Sequence, residues 1–379
     1  MSYRTTPNKL FCKNEKKLTS PLYVIGGLYG NTYALQQISK LASSETVNPQ
    51  LAFNGDFNFL QRSIRDYEFV NEFIQESSDA SLGNLEMSIF QKYEQEKYAA
   101  RNENIEHENL VNKNDYNCGC DYPPFVNADY VNNSNLIAES LYTIAKQQSE
   151  NFTSSSSSSS SSSINIIDYF KKLPKFLRYS INSDDGYEHK ILVIHGDVMS
   201  LSGWRFSAEA IEPYDEKLRE QITDNRTEMI QNTSLKEIRE WMKAADADII
   251  ACTHTCLPVA TTIPLSPQPQ DAEHLPDMYR KGVLINNGAA GMPNFYQTHY
   301  GILTRIAHKK HAVPEHFHTL YSYTMGDIMI SAVAIDYNHE EWLNQFLSWW
   351  PEGTPAYSNY YNRISNGPSY SIEQANRLK

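Results

Sequence analysis

Long apolar runs are missing from this chain of 379 residues. No stretch approaches the roughly 20 consecutive apolar residues that cross a bilayer, and the first twenty residues lack the apolar core of a secretory signal. Positive charge is short as well: 33 Lys and Arg stand against 45 Asp and Glu, for a net charge of −12. Neither a nucleic-acid backbone nor an anionic membrane is expected as a partner. A phosphate-bearing ligand would need local help, from a metal or from backbone N–H groups. Cysteine is scarce too, with five in all. Cys12, Cys118, Cys120, Cys252 and Cys256 form neither an even framework nor a pair of CxxC knuckles, so reduced thiols in a cytoplasm are expected rather than disulfides. The Asn-x-Ser/Thr matches at Asn132, Asn151, Asn225 and Asn232 are then chance.

What is present describes a folded globule, with 40% apolar and 12% aromatic residues. Tyr23-Val-Ile-Gly-Gly-Leu-Tyr-Gly-Asn31 reads as a buried strand turning tightly into a helix that keeps Ala34, Ile38 and Leu41 on one face. Asn31 stands where a helix N-cap is expected. Gln50 to Asp56 and Ala80 to Glu86 read as further strands ending in Gly-Asp and Gly-Asn. Ile64, Tyr67, Val70 and Ile74 keep helical spacing between them. Three such units predict α/β layers.

Between about 91 and 163 the pattern breaks, and a long insertion is expected there. It carries a helix with Leu136, Ile137, Leu141 and Ile144, and ends in a run of serines, 154–163, too polar to offset its ordering entropy and therefore expected as a mobile linker. Regularity returns at Ile167–Pro174, followed by a hairpin turning at Asp184-Asp-Gly186, whose second strand ends in Ile194-His-Gly196. Residues 203–233 are expected to be helical. Ser234-Leu-Lys-Glu237 is a capping box, and its helix feeds Asp248-Ile-Ile-Ala-Cys-Thr-His254. Later strands are expected around Val283–Asn287, Tyr300–Ile306 and Ile328–Ile335, then a helix near His339–Leu347 and a Tyr- and Pro-rich tail.

The residues just past each apolar run are Gly27 and Tyr29, Asp56, Asn84, His195, Cys252 with His254, and Asn287. A single Asp or His after a strand is unremarkable. A succession of them is not, because loops diverging from one sheet edge converge in space. His308, His311, His316 and His318 sit in a Lys-rich stretch and read as a solvated loop. Cys118-Gly-Cys120 reads as incidental to a polar insertion. Gly26-Gly-Leu-Tyr-Gly30 fits neither the dinucleotide fingerprint nor the P-loop.

The ordered set resembles the calcineurin-like metallophosphoesterases. That family's motifs run Asp-x-His-Gly-Asn, Gly-Asp, Gly-Asn-His/Cys-Asp/Glu, His-Gly and Gly-His-x-His. They stand here as Gly27-Leu-Tyr29-Gly-Asn31, Gly55-Asp56, Gly83-Asn84-Leu85-Glu86, His195-Gly196 and Ala251-Cys252-Thr-His254, with Asn286–Pro293 and Val333–Tyr337 also similar. The resemblance implies one domain over 1–379: a four-layer αββα sandwich carrying the inserted segment 91–163. It implies two cations bridged by one Asp, acting on a phosphate ester. Carried over, Asp56 matches the bridging carboxylate, Asn84, His195 and Cys252 match one metal, and Gly27, Tyr29 and His254 the other. Glycine offers no ligand, and a tyrosine phenol stays protonated near neutrality. One cation (Mn, Zn or Fe) is therefore expected rather than two, with no metal at all as the alternative. The ligand is expected to be a phosphorylated small molecule or phosphoprotein, with Tyr29 and Asn31 as contacts at the helix N-terminus. Two functions stay open: metal-dependent hydrolysis of a phosphate mono- or diester, or a non-catalytic phospho-ligand-binding or protein-interaction module.

Overall fold

The computed structural model describes residues 6, 15–101, 117–154, 165–223, 229–266 and 280–378. Cys12 and the serine run beyond Ser154 lie outside the described residues. In chain order the first elements are β1 (Lys16–Lys17), β2 (Leu22–Ile25), α1 (Thr32–Ser44), β3 (Gln50–Phe53), α2 (Ile64–Ser77), β4 (Asp79–Ala80) and α3 (Asn84–Arg101). Then come α4 (Ala128–Ser154), α5 (Ile166–Lys172), β5 (Phe176–Asn182), β6 (Glu188–Ile194), α6 (Glu216–Thr223), α7 (Leu235–Ala244), β7 (Ile249–Cys252) and β8 (Val259–Pro264). The rest are β9 (Lys281–Asn286), β10 (Gly301–His308), β11 (Thr319–Met325), β12 (Ile328–Ile335), α8 (His339–Trp349), α9 (Pro355–Asn366), α10 (Ile372–Ala375) and β13 (Asn376–Arg377).

Alternation along the strands dictates the layers. Leu22 and Val24 of β2 join Ile302 and Ile306 of β10 in a core shared with β6, β7 and β9. Tyr23 and Ile25 face the other way, into a core shared with α1, α2 and α8. Burying each such side chain contributes about 1.5–3 kcal/mol. The result is a six-stranded sheet ordered β11-β12-β10-β2-β3-β4 facing a seven-stranded sheet ordered β1-β5-β6-β7-β9-β8-β13. Helix α7 lays Ile238 and Met242 on the outer side of the second sheet, next to β8. This is the expected αββα sandwich.

Each sheet holds a parallel triad, β2-β3-β4 in one and β6-β7-β9 in the other. Parallel strands end on the same edge, so six loops meet at one end of the sandwich. The expected Asn31 cap is formed, its side chain accepting from Ala34 N, and so is the Ser234–Glu237 capping box.

Several expectations need correcting. The third strand is only Asp79–Ala80, because the Glu86 carboxylate takes the Gly83 N–H and the chain turns helical at Asn84. Residues 203–233 are mostly turns, helical in the described part only at Glu216–Thr223. Asp197 draws the N–H groups of Met199, Ser200 and Arg205 to its carboxylate, which competes with helix formation. The Tyr- and Pro-rich tail contains α9, started by Pro355 in the first turn and anchored by buried Tyr360 and Ile364. In α4, Ile137 and Leu141 are buried while Leu136 is 51% exposed. His308 ends β10, buried, with Asp184 at 3.1 Å, so it does not belong to a solvated loop. No described helix is long and apolar enough to cross a membrane.

Candidate metal centre

Asp56 follows β3 with φ +57, a left-handed conformation that a non-glycine residue adopts only when its surroundings hold it there. Glu86 does the holding. Its buried carboxylate accepts from the N–H groups of Asp56 (3.0 Å), Phe57 (2.9 Å) and Gly83 (3.0 Å). Gly55, at φ +96, lets the turn close: a Cβ there would lie 2.6 Å from His195 Nδ1 and 2.5 Å from Gly83 Cα.

His195, fully buried after β6, brings its Nδ1 to 2.7 Å from the Asn54 carbonyl. The partner assigns the tautomer: Nδ1–H donates and Nε2 keeps a lone pair. Around that Nε2 stand Asn84 Oδ1 at 2.9 Å, His254 Nδ1 at 3.1 Å and Asp56 Oδ2 at 3.5 Å. Neither Asn84 nor His254 brings a hydrogen. Asn84 spends its amide N–H groups on the Cys118 carbonyl and the Cys120 sulfur. The His254 Nε2–H faces the Cys120 carbonyl at 3.3 Å, which leaves Nδ1 a lone pair. Asp56 Oδ1 is buried without a partner. Burial lowers His195 to about 4, and burial with the neighbouring imidazole lowers His254 to about 3, so neither ring brings a proton near neutrality. Burial raises the Asp56 carboxyl. Once Asp56 has lost its proton, four electron pairs converge in a dry pocket and repel one another unless a cation sits between them. Asp56, His195 and His254 form a group able to hold a metal ion, and Asn84 adds a fourth donor.

No family model matches the chain, and no curated protein matches it. Among solved structures it is similar to a metallophosphoesterase from Sphaerobacter thermophilus at 15% identity, over 92% of this chain and 99% of that one, with a TM-score of 0.45. A protein of Pyrococcus horikoshii described as hypothetical is 13% identical over 93% of this chain and all 100% of that one, with a TM-score of 0.48. A protein serine/threonine phosphatase from Saccharomyces cerevisiae is 12% identical over 87% of this chain and 90% of that one, with a TM-score of 0.32. The chain resembles calcineurin-like metallophosphoesterases. The strand-end junctions at Asp56, Asn84, His195 and His254 carry that likeness, not the overlap of whole chains.

The positions matching the family's other cation are filled differently. The Tyr29 ring folds back over Gly27, so that a Cβ on residue 27 would lie 2.4 Å from Tyr29 Cε2. The phenol oxygen stands 2.6 Å from the Cys256 sulfur, and burial with Cys256 nearby keeps it far above its ordinary range. Cys252 does not join the donor cluster. It closes β7 with its side chain buried among apolar residues, where burial suppresses thiolate formation. His254, expected at the other cation with Gly27 and Tyr29, instead stands 3.1 Å from His195 Nε2, in the cluster with Asn84 and Asp56. Asn31 does not line the cavity beside the cluster: it is fully buried, donates to the Gly291 carbonyl and accepts from Ala34 N. Tyr29 does line it.

The motif reading passes over the insertion's part in the site. Cys118 and Cys120 present the carbonyls that orient Asn84 and His254, and Trp204 Nε1 also donates to the Cys120 carbonyl at 3.1 Å. Gly119, at φ +74, allows that turn. A Cys-Gly-Cys followed by Pro123-Pro124 is the only trace of this in the sequence. The chain of support predicts that Glu86→Gln destabilises the protein by about 3 kcal/mol in chemical denaturation, since an amide N–H would confront backbone donors. Cation binding should fall with it as the Asp56 turn relaxes.

Proposed function

We propose that this chain is a calcineurin-like metallophosphoesterase relative that holds one divalent cation through Asp56, Asn84, His195 and His254. There it binds the phosphoryl group of a phosphorylated ligand, without the paired-cation hydrolysis of the family. The observation that carries this reading is the Tyr29 ring lying against Gly27, in the space a first ligand of the other cation needs. Two imidazole nitrogens with a carboxylate and an amide oxygen suit Zn, Mn or Fe. A bound cation would supply charge neutralisation of phosphoryl oxygens. The adjoining cavity of about 420 Å³ has room for a small organic phosphate. The four described cysteines are free, in keeping with a cytoplasmic protein.

A second reading, slow single-cation hydrolysis, is favoured by the unpartnered Asp56 Oδ1. One experiment separates the two. The full chain is loaded with Mn²⁺ or Zn²⁺, its metal content measured, phenyl phosphate titrated by calorimetry, and phosphate release followed. One equivalent of metal is expected, with metal-dependent binding and no release above that of Asp56→Ala. Two equivalents, or turnover that disappears in Asp56→Ala, would overturn the binding-only reading.

A further inference from the structure

We infer that Arg363 is a second anion anchor, so that the cavity takes an organic phosphate with a flat, apolar body and a second oxyanion. This rests on the reading of the metal end given above.

Some arginines set into this fold hold a carboxylate, as Arg178 holds Glu15 and Arg305 holds Glu45, and Arg377 spreads its donors over four backbone carbonyls. Arg363 has neither arrangement. Carried by α9, it donates from one terminal nitrogen to the Cys256 carbonyl at 2.8 Å. Its Nε is buried with no partner, and among the described residues no carboxylate pairs with it. A guanidinium is always charged and offers a planar fork of donors matched to carboxylate and phosphate oxygens. Holding one half-buried with an open donor is costly unless something anionic arrives.

The residue stands in the right place. Asp56, Asn84, His254 and Arg363 line one cavity of about 420 Å³. Cys256, whose carbonyl holds the guanidinium, is two residues past His254, at most about 7 Å of chain. A single ring carrying one anionic group at each side spans such a gap. The rest of the lining suits the ring: Phe59, Tyr122, Tyr130, Trp204 and Tyr360 offer aromatic faces and edges and few competing charges.

The test compares two probes on the metal-loaded full chain by calorimetry, phenyl phosphate and 4-carboxyphenyl phosphate. The wild type should bind the carboxylated probe at least tenfold more tightly. Arg363→Gln should erase that preference while leaving phenyl phosphate within about twofold, and Arg363→Lys should restore part of it, since a point charge lacks the fork. Thermal unfolding of both variants checks that the fold survives. Equal weakening of both probes would assign Arg363 a structural role and overturn the inference, as would a wild type with no preference. Failure of phenyl phosphate to bind at all would remove the metal-end reading and this one with it.

Discussion

Replacing His195 with alanine is expected to abolish stoichiometric Mn²⁺ or Zn²⁺ binding, lowering affinity more than about 100-fold, beyond what loss of an outer-shell partner costs. The reason is geometric. His195 Nε2 is the atom around which Asn84 Oδ1, His254 Nδ1 and Asp56 Oδ2 gather, at 2.9, 3.1 and 3.5 Å. The same arrangement fixes the sign of the pH response. The buried histidines are lowered from 6.5 to about 4 and about 3, so below pH 6.5 the unfolded chain takes up protons that the folded chain refuses. Stability of the metal-free chain therefore falls with acid, by about 1.4 kcal/mol per pH unit for each histidine. Asp56 acts oppositely. Burial raises its carboxyl, so the folded chain holds a proton that the unfolded chain has released above about pH 4, and this contribution fades as pH rises. An incoming cation must displace that proton in acid and meets a bare carboxylate in base. Thermal unfolding with and without EDTA should show a larger metal-dependent rise in Tm at pH 8 than at pH 6. A difference independent of pH, or an undiminished metal equivalent in His195→Ala, would rule out this donor set.

Most of that donor set was legible because its members sit where strands end, and strand ends are written in local pattern: an apolar run, then a polar residue. Asp56, Asn84, His195 and His254 all obey it, the first three with a glycine directly beside them. Cys252 misled because it obeys the same pattern one step too early. It is the last residue of β7, still facing the core, and the chain turns only beyond it. Asn31 misled differently. An N-cap asparagine and a ligand-binding asparagine look alike in sequence, and only the Gly291 carbonyl, 260 residues away, shows where the amide goes. The contributions of Cys120, Trp204 and Arg363 depend on how the insertion and α9 fold back across the strand ends. Such long-range packing leaves little periodic trace. Helix α4 packs on α9, α5 and α3, so the insertion is an integral wall of the site.

Gly27→Ala should cost about 1–3 kcal/mol, the usual penalty for forcing an atom into a packed interior, even though alanine there would ordinarily gain slightly from a stiffer unfolded chain. The three heavy atoms nearest a Cβ at position 27 all belong to Tyr29, at 2.4, 3.0 and 3.1 Å. The tightest contacts are therefore all with one side chain. Tyr29→His alone should also destabilise, because the ring packs edge-on against Phe59 at 6.0 Å and reaches Cys256. Together the changes should cost less than their sum, with a coupling of about 0.5–3 kcal/mol in a double-mutant cycle. The larger consequence concerns the cation count. Gly27→Asp combined with Tyr29→His frees the space the ring occupied and supplies the two ligand types that the resembled family keeps there, beside the unpartnered Asp56 Oδ1. Metal content should rise from one equivalent to two, and release of phosphate from p-nitrophenyl phosphate should appear, because a paired clamp can then stabilise both attacking and leaving oxygens. Strictly additive single changes would show that Tyr29 does not exclude residue 27. Additivity with a second equivalent already present in the wild type would place the family's full site in this chain after all.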